Sequence, residues 1–136
     1  MTPPLYPVEE AREWLRTAAE DLRLAELALD DSPPLTGGAL YHAQQAAEKA
    51  LKGLLVLHGI PYPLTHDVRK LLTMCSDAGA GLGAGVSAAA GLTQFAIRFR
   101  YPGEVQPSRE EARPWLDLAR KVCDEVSQRL PAEKEN

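Results

Sequence analysis

Hydrophobic residues recur at helical spacing in the first half of the chain, from about residue 8 to 30 and again from about 39 to 58. Residues three and four positions apart share one face of an α-helix, so each segment predicts an amphipathic helix. Pro33 and Pro34 separate the two helices, because proline cannot continue a helix. The two predicted apolar stripes are Ala11, Trp14, Leu15, Ala18, Leu22, Ala25 and Leu29, and Leu40, Ala43, Ala47, Ala50, Leu51, Leu54 and Leu57.

A third, shorter helix is predicted over about residues 66–78. Thr65 is placed to cap its start, and Asp67 in the first turn would face the positive end of the helix dipole. A glycine-rich loop over residues 79–86 follows, because four glycines at alternate positions would each cost a helix about 1 kcal/mol. A fourth helix is predicted from about residue 87 to 101, ending before Pro102.

The last predicted helix opens with a capping box, in which Ser108 precedes Glu111 by three residues. Pro114 falls inside this segment, so the helix either kinks there or starts near Arg113. Its apolar stripe consists of Ala112, Trp115, Leu116, Ala119, Val122, Cys123, Val126 and Leu130.

No segment alternates between apolar and polar residues in the manner of a strand. Short loops between long amphipathic helices favour an all-α fold, an antiparallel up-and-down four-helix bundle with a short additional helix. The length of 136 residues fits a single domain over residues 1–136. Its two ends, residues 1–7 and 131–136, are expected to fray.

The net charge of −4 argues against sequence-blind binding to nucleic acid, which needs a broad positive field. Cys75 and Cys123 lie on apolar stripes outside any CxxC pair, so they are expected to be buried thiols in a reducing compartment. No apolar run approaches the about 20 residues needed to span a membrane, and no signal peptide is recognisable. A cytoplasmic location without membrane contact is therefore expected.

The histidines do not predict a metal site. His42 and His58 are separated by roughly 24 Å along one helix, too far to share an ion. Neither HxxxH nor HExxH spacing occurs. No metal and no other cofactor is expected.

A row of polar residues with diverse chemistry follows the second helix. Its members offer a phenol, an amide, a carboxylate and an ammonium, and two further basic groups flank them. Together they can hold the edge of a base and a phosphate. The alternative is a solvated helix face with an i,i+4 ion pair between Glu48 and Lys52. The row consists of Tyr41, Gln45, Glu48 and Lys52, flanked by His42 and Lys49.

Three blocks of the sequence resemble the HEPN domain family: residues 41–52 (YHAQQAAEKALK), the Thr65-His66-Asp67 triplet and the Arg100-Tyr101-Pro102-Gly103 turn. The resemblance implies a helical bundle that forms homodimers and binds a nucleotide or RNA. Such proteins are often encoded beside a minimal nucleotidyltransferase, in a pairing like a toxin–antitoxin module. Many members are metal-independent ribonucleases that carry an arginine and, four to six residues later, a histidine.

The chain departs from that ribonuclease motif, because no histidine follows Arg100. Three functions therefore stay open: a module that binds a nucleotide, RNA or a partner nucleotidyltransferase; a ribonuclease in which Arg100 acts with the non-adjacent His66; and a purely structural dimeric bundle. Whether the chain is an enzyme is left undecided. The predicted binding residues are Tyr41, His42, Gln45, Glu48, Lys49, Lys52, His66, Arg100 and Tyr101.

Overall fold

A computed structural model of the chain describes residues 7–99 and 102–132. These residues contain helices and no strand, which confirms the predicted all-α class. The elements in chain order are α1 (Pro7–Asp30), α2 (Thr36–Leu57), α3 (Val68–Asp77), a 3-10 helix (Ala84–Ala96) and α4 (Arg109–Ser127).

Helices α1 and α2 run antiparallel and pack closely. Asp21 near the middle of α1 contacts Lys49, whereas Trp14, earlier on α1, packs against Gly53, which is later on α2. A Cβ atom added at Gly53 would lie 3.0 Å from Cβ of Trp14 and 3.3 Å from the carbonyl oxygen of Ala11. The absent side chain therefore sets how closely the two helices approach.

The remaining elements complete an up-and-down bundle. Helix α4 returns along α1, where Arg113 and Arg120 both donate to Glu26. The 3-10 helix runs antiparallel to α4, since Gly83 at its start meets the C-terminal part of α4 and its last turn meets Trp115. Helix α3 is the short additional element and packs between α2 and the 3-10 helix. The predicted four-element bundle is thus observed, with a 3-10 helix as one of its members.

Helix α2 lies at the centre, in contact with every other helical element. The core is built largely from alanine and leucine, which lets the helices approach closely. Most predicted stripe positions are buried, and the partly exposed ones are Trp14, Leu15, Leu22, Leu57, Trp115 and Leu130. The fully buried large side chains include Leu29, Leu40, Leu51, Leu54, Leu55, Leu71, Leu92 and Leu116.

The fourth bundle element differs from its prediction. It is a 3-10 helix that starts at Ala84, so the glycine-rich loop ends at Gly83 instead of residue 86. Its buried residues recur at every third position, which suits a helix of three residues per turn because such side chains stack on one face. Ala88, Ala90 and Gly91, which lie between them, add little bulk to that tight backbone. The buried residues are Val86, Ala89, Leu92 and Phe95.

The start of α3 also differs from its prediction. Asp67, and not Thr65, is the capping residue: its Oδ1 accepts a hydrogen bond from the backbone N–H of Lys70 at 3.2 Å. The Thr65 hydroxyl instead accepts from the backbone N–H of Asp67 at 3.1 Å. Asp67 caps the helix because its carboxylate is a charged acceptor at the positive end of the helix dipole.

The capping box of α4 is confirmed. Ser108 Oγ accepts from the N–H of Glu111 at 3.1 Å, and Glu111 Oε1 accepts from the N–H of Ser108 at 3.0 Å. The helix accordingly begins at Arg109 and continues through Pro114, which removes the alternative start near residue 113.

The predicted frayed ends fall mainly outside the described residues. Within those residues, Pro7 is the first residue of α1, and the carbonyl of Pro131 accepts from Arg12 at 2.9 Å. No helix among the described residues is both long and apolar enough to cross a membrane.

Candidate functional site

The polar row of α2 is largely covered by other parts of the chain. Glu48 and Lys52 expose only 4% and 6% of their surfaces, so the alternative of a solvated helix face does not hold for this pair. Trp14 of α1 and Tyr62 of the segment after α2 pack edge to face, with ring centroids 5.0 Å apart. The Lys52 ammonium lies 6.0 Å from the Trp14 ring and 5.8 Å from the Tyr62 ring, within the range of cation–π attraction.

Glu48 is the centre of a buried hydrogen-bond network. Its Oε2 accepts from Lys52 Nζ at 3.0 Å, and its Oε1 accepts from Gln44 Nε2 at 3.0 Å and from His66 Nδ1 at 2.7 Å. Burial works to raise the pKa of Glu48, but the hydrogen bonds from His66, Gln44 and Lys52 outweigh it and hold that pKa below its ordinary value. The carboxylate is therefore ionised at neutral pH, with three donors directed at it.

The network orients His66, whose side chain is 70% exposed. An ionised carboxylate only accepts hydrogen bonds, so Nδ1 of His66 must carry the hydrogen directed at Glu48. Its Nε2 is then left for solvent or a ligand. Gln44 also donates to the backbone carbonyl of His66 at 3.1 Å, which anchors the segment before α3 to α2. His66, a predicted site residue outside α2, is thus joined to the polar row.

Gln44 was absent from the predicted site, although it is fully buried and hydrogen-bonds three other members of the network. Its Oε1 accepts from Gln45 Nε2 at 2.7 Å. Its position four residues after Leu40 and three before Ala47, on the apolar side of the helix, was the available signal. An amide there needs polar partners inside the fold.

Asp21 was also missed, and it holds His42 and Lys49 in a second cluster. Its Oδ1 lies 2.8 Å from His42 Nδ1, and its Oδ2 accepts from Lys49 Nζ at 2.7 Å. Asp21 is 5% exposed and interrupts the apolar stripe of α1 between Ala18 and Ala25. A buried carboxylate requires charged partners, and α2 supplies both.

The two clusters repeat one arrangement. In each, a buried carboxylate binds a lysine ammonium through one oxygen and an imidazole Nδ1 through the other. Tyr41 and Gln45, the other members of the row, are half-buried. The Tyr41 ring packs edge to face on His42, with centroids 5.2 Å apart. The structure therefore divides the predicted row into two imidazole–carboxylate–ammonium clusters.

Arg69 and Lys70 extend the positive surface beside His66. They lie in the first turn of α3, three and four residues after His66 along the chain. Both side chains are exposed, and within residues 7–99 and 102–132 neither forms an ion pair with a carboxylate. Their charges are therefore available to an anion from solution.

Two of the predicted site residues, Arg100 and Tyr101, lie outside the described residues.

The two cysteines are not reactive thiols. Cys75 and Cys123 are free, buried thiols, and burial raises their pKa values to about 11 and about 12, so neither is an activated nucleophile. Across the described part of the chain, no group of histidine, cysteine and acidic residues is arranged to hold a metal ion.

No curated protein matches the chain. Two solved structures resemble it: TT1696 from Thermus thermophilus, at 34% identity and a TM-score of 0.74, and ST0689, an archaeal HEPN homologue, at 26% identity and a TM-score of 0.70. The matches cover 87% of this chain and 96% of the first protein, and 89% of this chain and 98% of the second.

The model of the HEPN domain matches residues 11–130, which include every helix described above apart from the first turn of α1. This match covers far more than half of the chain and agrees with the resemblance of the three sequence blocks. The chain therefore belongs to the HEPN domain family.

Proposed function

We propose that this HEPN protein binds a nucleotide or RNA through a phosphate group at the surface formed by His66, Arg69 and Lys70. The observation that carries the proposal is the exposed His66 imidazole, held through Nδ1 by the buried carboxylate of Glu48. That contact fixes the ring and directs Nε2 outward. A preoriented ring loses little conformational freedom when a ligand binds.

Phosphate fits this surface better than a neutral ligand does. An imidazole that carries a hydrogen on Nε2 donates to a phosphate oxygen, while Arg69 and Lys70 add a guanidinium and an ammonium, the groups that form strong charge-assisted hydrogen bonds to phosphate. Two backbone N–H groups at the start of α3 are already used, because Thr93 Oγ1 accepts from Val68 N–H and Asp67 caps Lys70 N–H. The side chains would therefore carry the interaction.

The net charge of −4 limits how such binding can operate. A negative protein repels a polyanion at long range, so affinity must come from a local site and not from a broad positive field. A single phosphate group, in a nucleotide or at one position of an RNA, meets that condition. Arg100 and Tyr101, on the family's third sequence block, remain predicted contributors to the same site.

The partners implied by the family resemblance are part of this proposal. They are a second copy of the chain and a minimal nucleotidyltransferase, in a toxin–antitoxin-like module in the cytoplasm. The buried, reduced thiols support the cytoplasmic location. Co-expression with the product of a neighbouring nucleotidyltransferase gene should yield a complex on size-exclusion chromatography. Separate elution of the two proteins would remove this partner from the proposal.

A metal-independent ribonuclease is the second candidate, and the two carboxylate-oriented histidines favour it. An imidazole held through Nδ1 is suited to general acid–base catalysis at Nε2. In RNA cleavage, Nε2 would take the proton of a ribose 2′-hydroxyl, whose oxygen bonds to the adjacent phosphorus. The bond from phosphorus to the 5′-oxygen breaks, and that oxygen gains a proton from a protonated imidazole, leaving a 2′,3′-cyclic phosphate.

The binding proposal is tested by filter binding of ATP and of a short single-stranded RNA to His66→Ala. Loss of one charge-assisted hydrogen bond predicts roughly tenfold weaker binding. His58→Ala is the matched control, because His58 is an exposed histidine at the end of α2 and should leave affinity unchanged. Equal affinity of the His66→Ala variant and the wild type for both ligands, or no binding by the wild type, would contradict the proposal.

Cleavage of the same RNA in the presence of EDTA tests the ribonuclease. The enzyme hypothesis predicts a cyclic phosphate product that disappears in both His66→Ala and Arg100→Ala. Intact RNA after prolonged incubation with pure wild-type protein rejects catalysis on this substrate and leaves binding as the function.

A further inference from the structure

A cavity opens where α2, the 3-10 helix and α4 meet. Its volume is about 430 Å³, within the range of cavities that hold small organic ligands. The floor is Leu40, which is 1% exposed. The walls carry three aromatic rings, Phe95, Phe99 and Trp115.

The rings are arranged as a continuous apolar wall. Phe95 stacks on Phe99 with centroids 6.0 Å apart and an interplanar angle of 22°, and it meets Trp115 edge to face at 5.2 Å. A Cβ atom at Gly91 would lie 2.6 Å from Cη2 of Trp115, so the indole fits here because residue 91 is glycine. A wall of this kind offers π-surface to a flat ligand.

An arginine lies at the mouth of the cavity. The guanidinium of Arg98 lies 4.7 Å from the centroid of the Phe99 ring and donates to the side-chain oxygen of Gln94. Arg98 is exposed, so its planar group presents one surface to solvent. Guanidinium planes stack on nucleobases as well as on aromatic side chains. Glu111, an acceptor for the amino group of a base, lines the same cavity.

The backbone at this corner is in an unusual conformation. Phe99 has a φ of 66°, which bulky residues rarely adopt, and its N–H is held by Glu104 Oε2 at 3.1 Å. Strained residues of this kind are concentrated at ligand sites, where the surrounding structure over-determines them. In this conformation the Phe99 ring stacks on Phe95 and lies beside the guanidinium of Arg98.

Two pairs of neighbouring residues connect the cavity with the segment that carries His66. Leu40 forms its floor, and Gln44, one turn later and about 6 Å along α2, holds the carbonyl of His66. On the other side, Thr93 binds the start of α3 and the next residue, Gln94, lines the cavity. In a nucleotide, base and phosphate are likewise neighbours, joined by a ribose.

We propose that this aromatic cavity is the base subsite of the protein, so that one nucleotide places its base against Arg98 and Trp115 and its phosphate at His66. The inference rests on the proposed function but concerns different residues. It assigns base stacking to the cavity, and it predicts that a nucleoside without any phosphate binds there on its own.

The test is isothermal titration calorimetry of the full chain with three probes: adenosine, ATP and inorganic phosphate. Adenosine should bind, and it should quench the fluorescence of Trp115, whereas inorganic phosphate should leave the fluorescence unchanged. Arg98→Ala should lower the affinity for adenosine by about tenfold, because the stacking on the guanidinium is lost. Ile97→Ala is the matched control, since this adjacent side chain is 66% exposed and does not line the cavity.

The two proposals fail in different ways. His66→Ala should weaken the binding of ATP and leave the affinity for adenosine unchanged. If ATP binds and depends on His66, while adenosine neither binds nor quenches and Arg98→Ala changes nothing, the base subsite is wrong and the phosphate surface stands. If adenosine binds through Arg98 but His66→Ala leaves ATP unchanged, the phosphate surface is wrong. If no probe binds, both are wrong.

Discussion

Nδ1 of His66 lies 2.7 Å from Oε1 of Glu48, and this contact joins the exposed surface of the protein to its interior. Glu48 belongs to the central helix and is almost fully buried, whereas most of the His66 side chain is in solvent. The buried carboxylate therefore acts on the outside of the molecule by fixing the orientation of one imidazole. The same carboxylate is neutralised by Lys52, so binding and stability depend on one group.

Replacement of Glu48 by glutamine is expected to destabilise the fold by about 3 kcal/mol at pH 7, because it leaves the buried ammonium of Lys52 without its carboxylate. Urea unfolding measures this free energy. The pKa of Glu48 is lowered in the folded state, so its contribution is fully present above the ordinary value of 4.5 and is lost as the pH falls through the lowered value. The difference between wild type and Glu48→Gln should therefore shrink at acid pH. A difference that stays constant with pH would show that ionisation of Glu48 is not the cause.

Removal of the Asp21 charge should destabilise the contact between α1 and α2. Asp21→Asn leaves Lys49 and His42 without their common carboxylate, which predicts a loss of roughly 1–3 kcal/mol in urea unfolding. Glu20→Gln is the control, since Glu20 is exposed on the adjacent position of the same helix. Equal effects of the two substitutions would mean that the Asp21 cluster contributes nothing specific.

Two glycines of α2 should respond to alanine in opposite directions. At Gly53 a Cβ atom would crowd Trp14 and the backbone of Ala11, so Gly53→Ala should lower the melting temperature despite the better helix propensity of alanine. At Gly38 a Cβ atom meets nothing within 4 Å, and Gly38→Ala should stabilise the helix by up to about 1 kcal/mol. Stabilisation by both substitutions would contradict the close approach of α1 and α2.

Both thiols should resist modification in the native protein. Burial raises the pKa of Cys75 to about 11 and that of Cys123 to about 12, so almost no thiolate forms at pH 8. Labelling with a chromogenic disulfide reagent should be slow in buffer and fast in urea, with two thiols reacting. Rapid labelling of either cysteine in buffer would show that the bundle opens locally.

The sequence predicts the main helices, but it does not predict what covers their polar residues. The stripes of α1, α2 and α4 follow from periodicity, because a helix must bury its apolar side. The i,i+4 contact between Glu48 and Lys52 was also predictable from spacing, yet its burial was not. Trp14 and Tyr62 cover it from distant parts of the chain, and nothing local to α2 indicates them.

The 3-10 helix and Asp21 were misjudged for different physical reasons. The every-third spacing from Val86 to Phe95 was present in the sequence, but the glycines beside it favoured a loop followed by an α-helix. Asp21 lies on the apolar stripe of α1, and its partners His42 and Lys49 lie on α2. The reason why a charged residue is buried there therefore becomes visible only when α1 is packed on α2.

The central claim is that the oriented Nε2 of His66 meets a phosphate. The chain has three histidines, so their imidazole nitrogens can be followed individually in a two-bond ¹H–¹⁵N spectrum during titration with ATP. The account predicts that Nε2 of His66 shifts with saturation towards the protonated, hydrogen-bonded form, while the nitrogens of His58 do not move. An unchanged His66 signal at ATP concentrations that saturate the protein would contradict it.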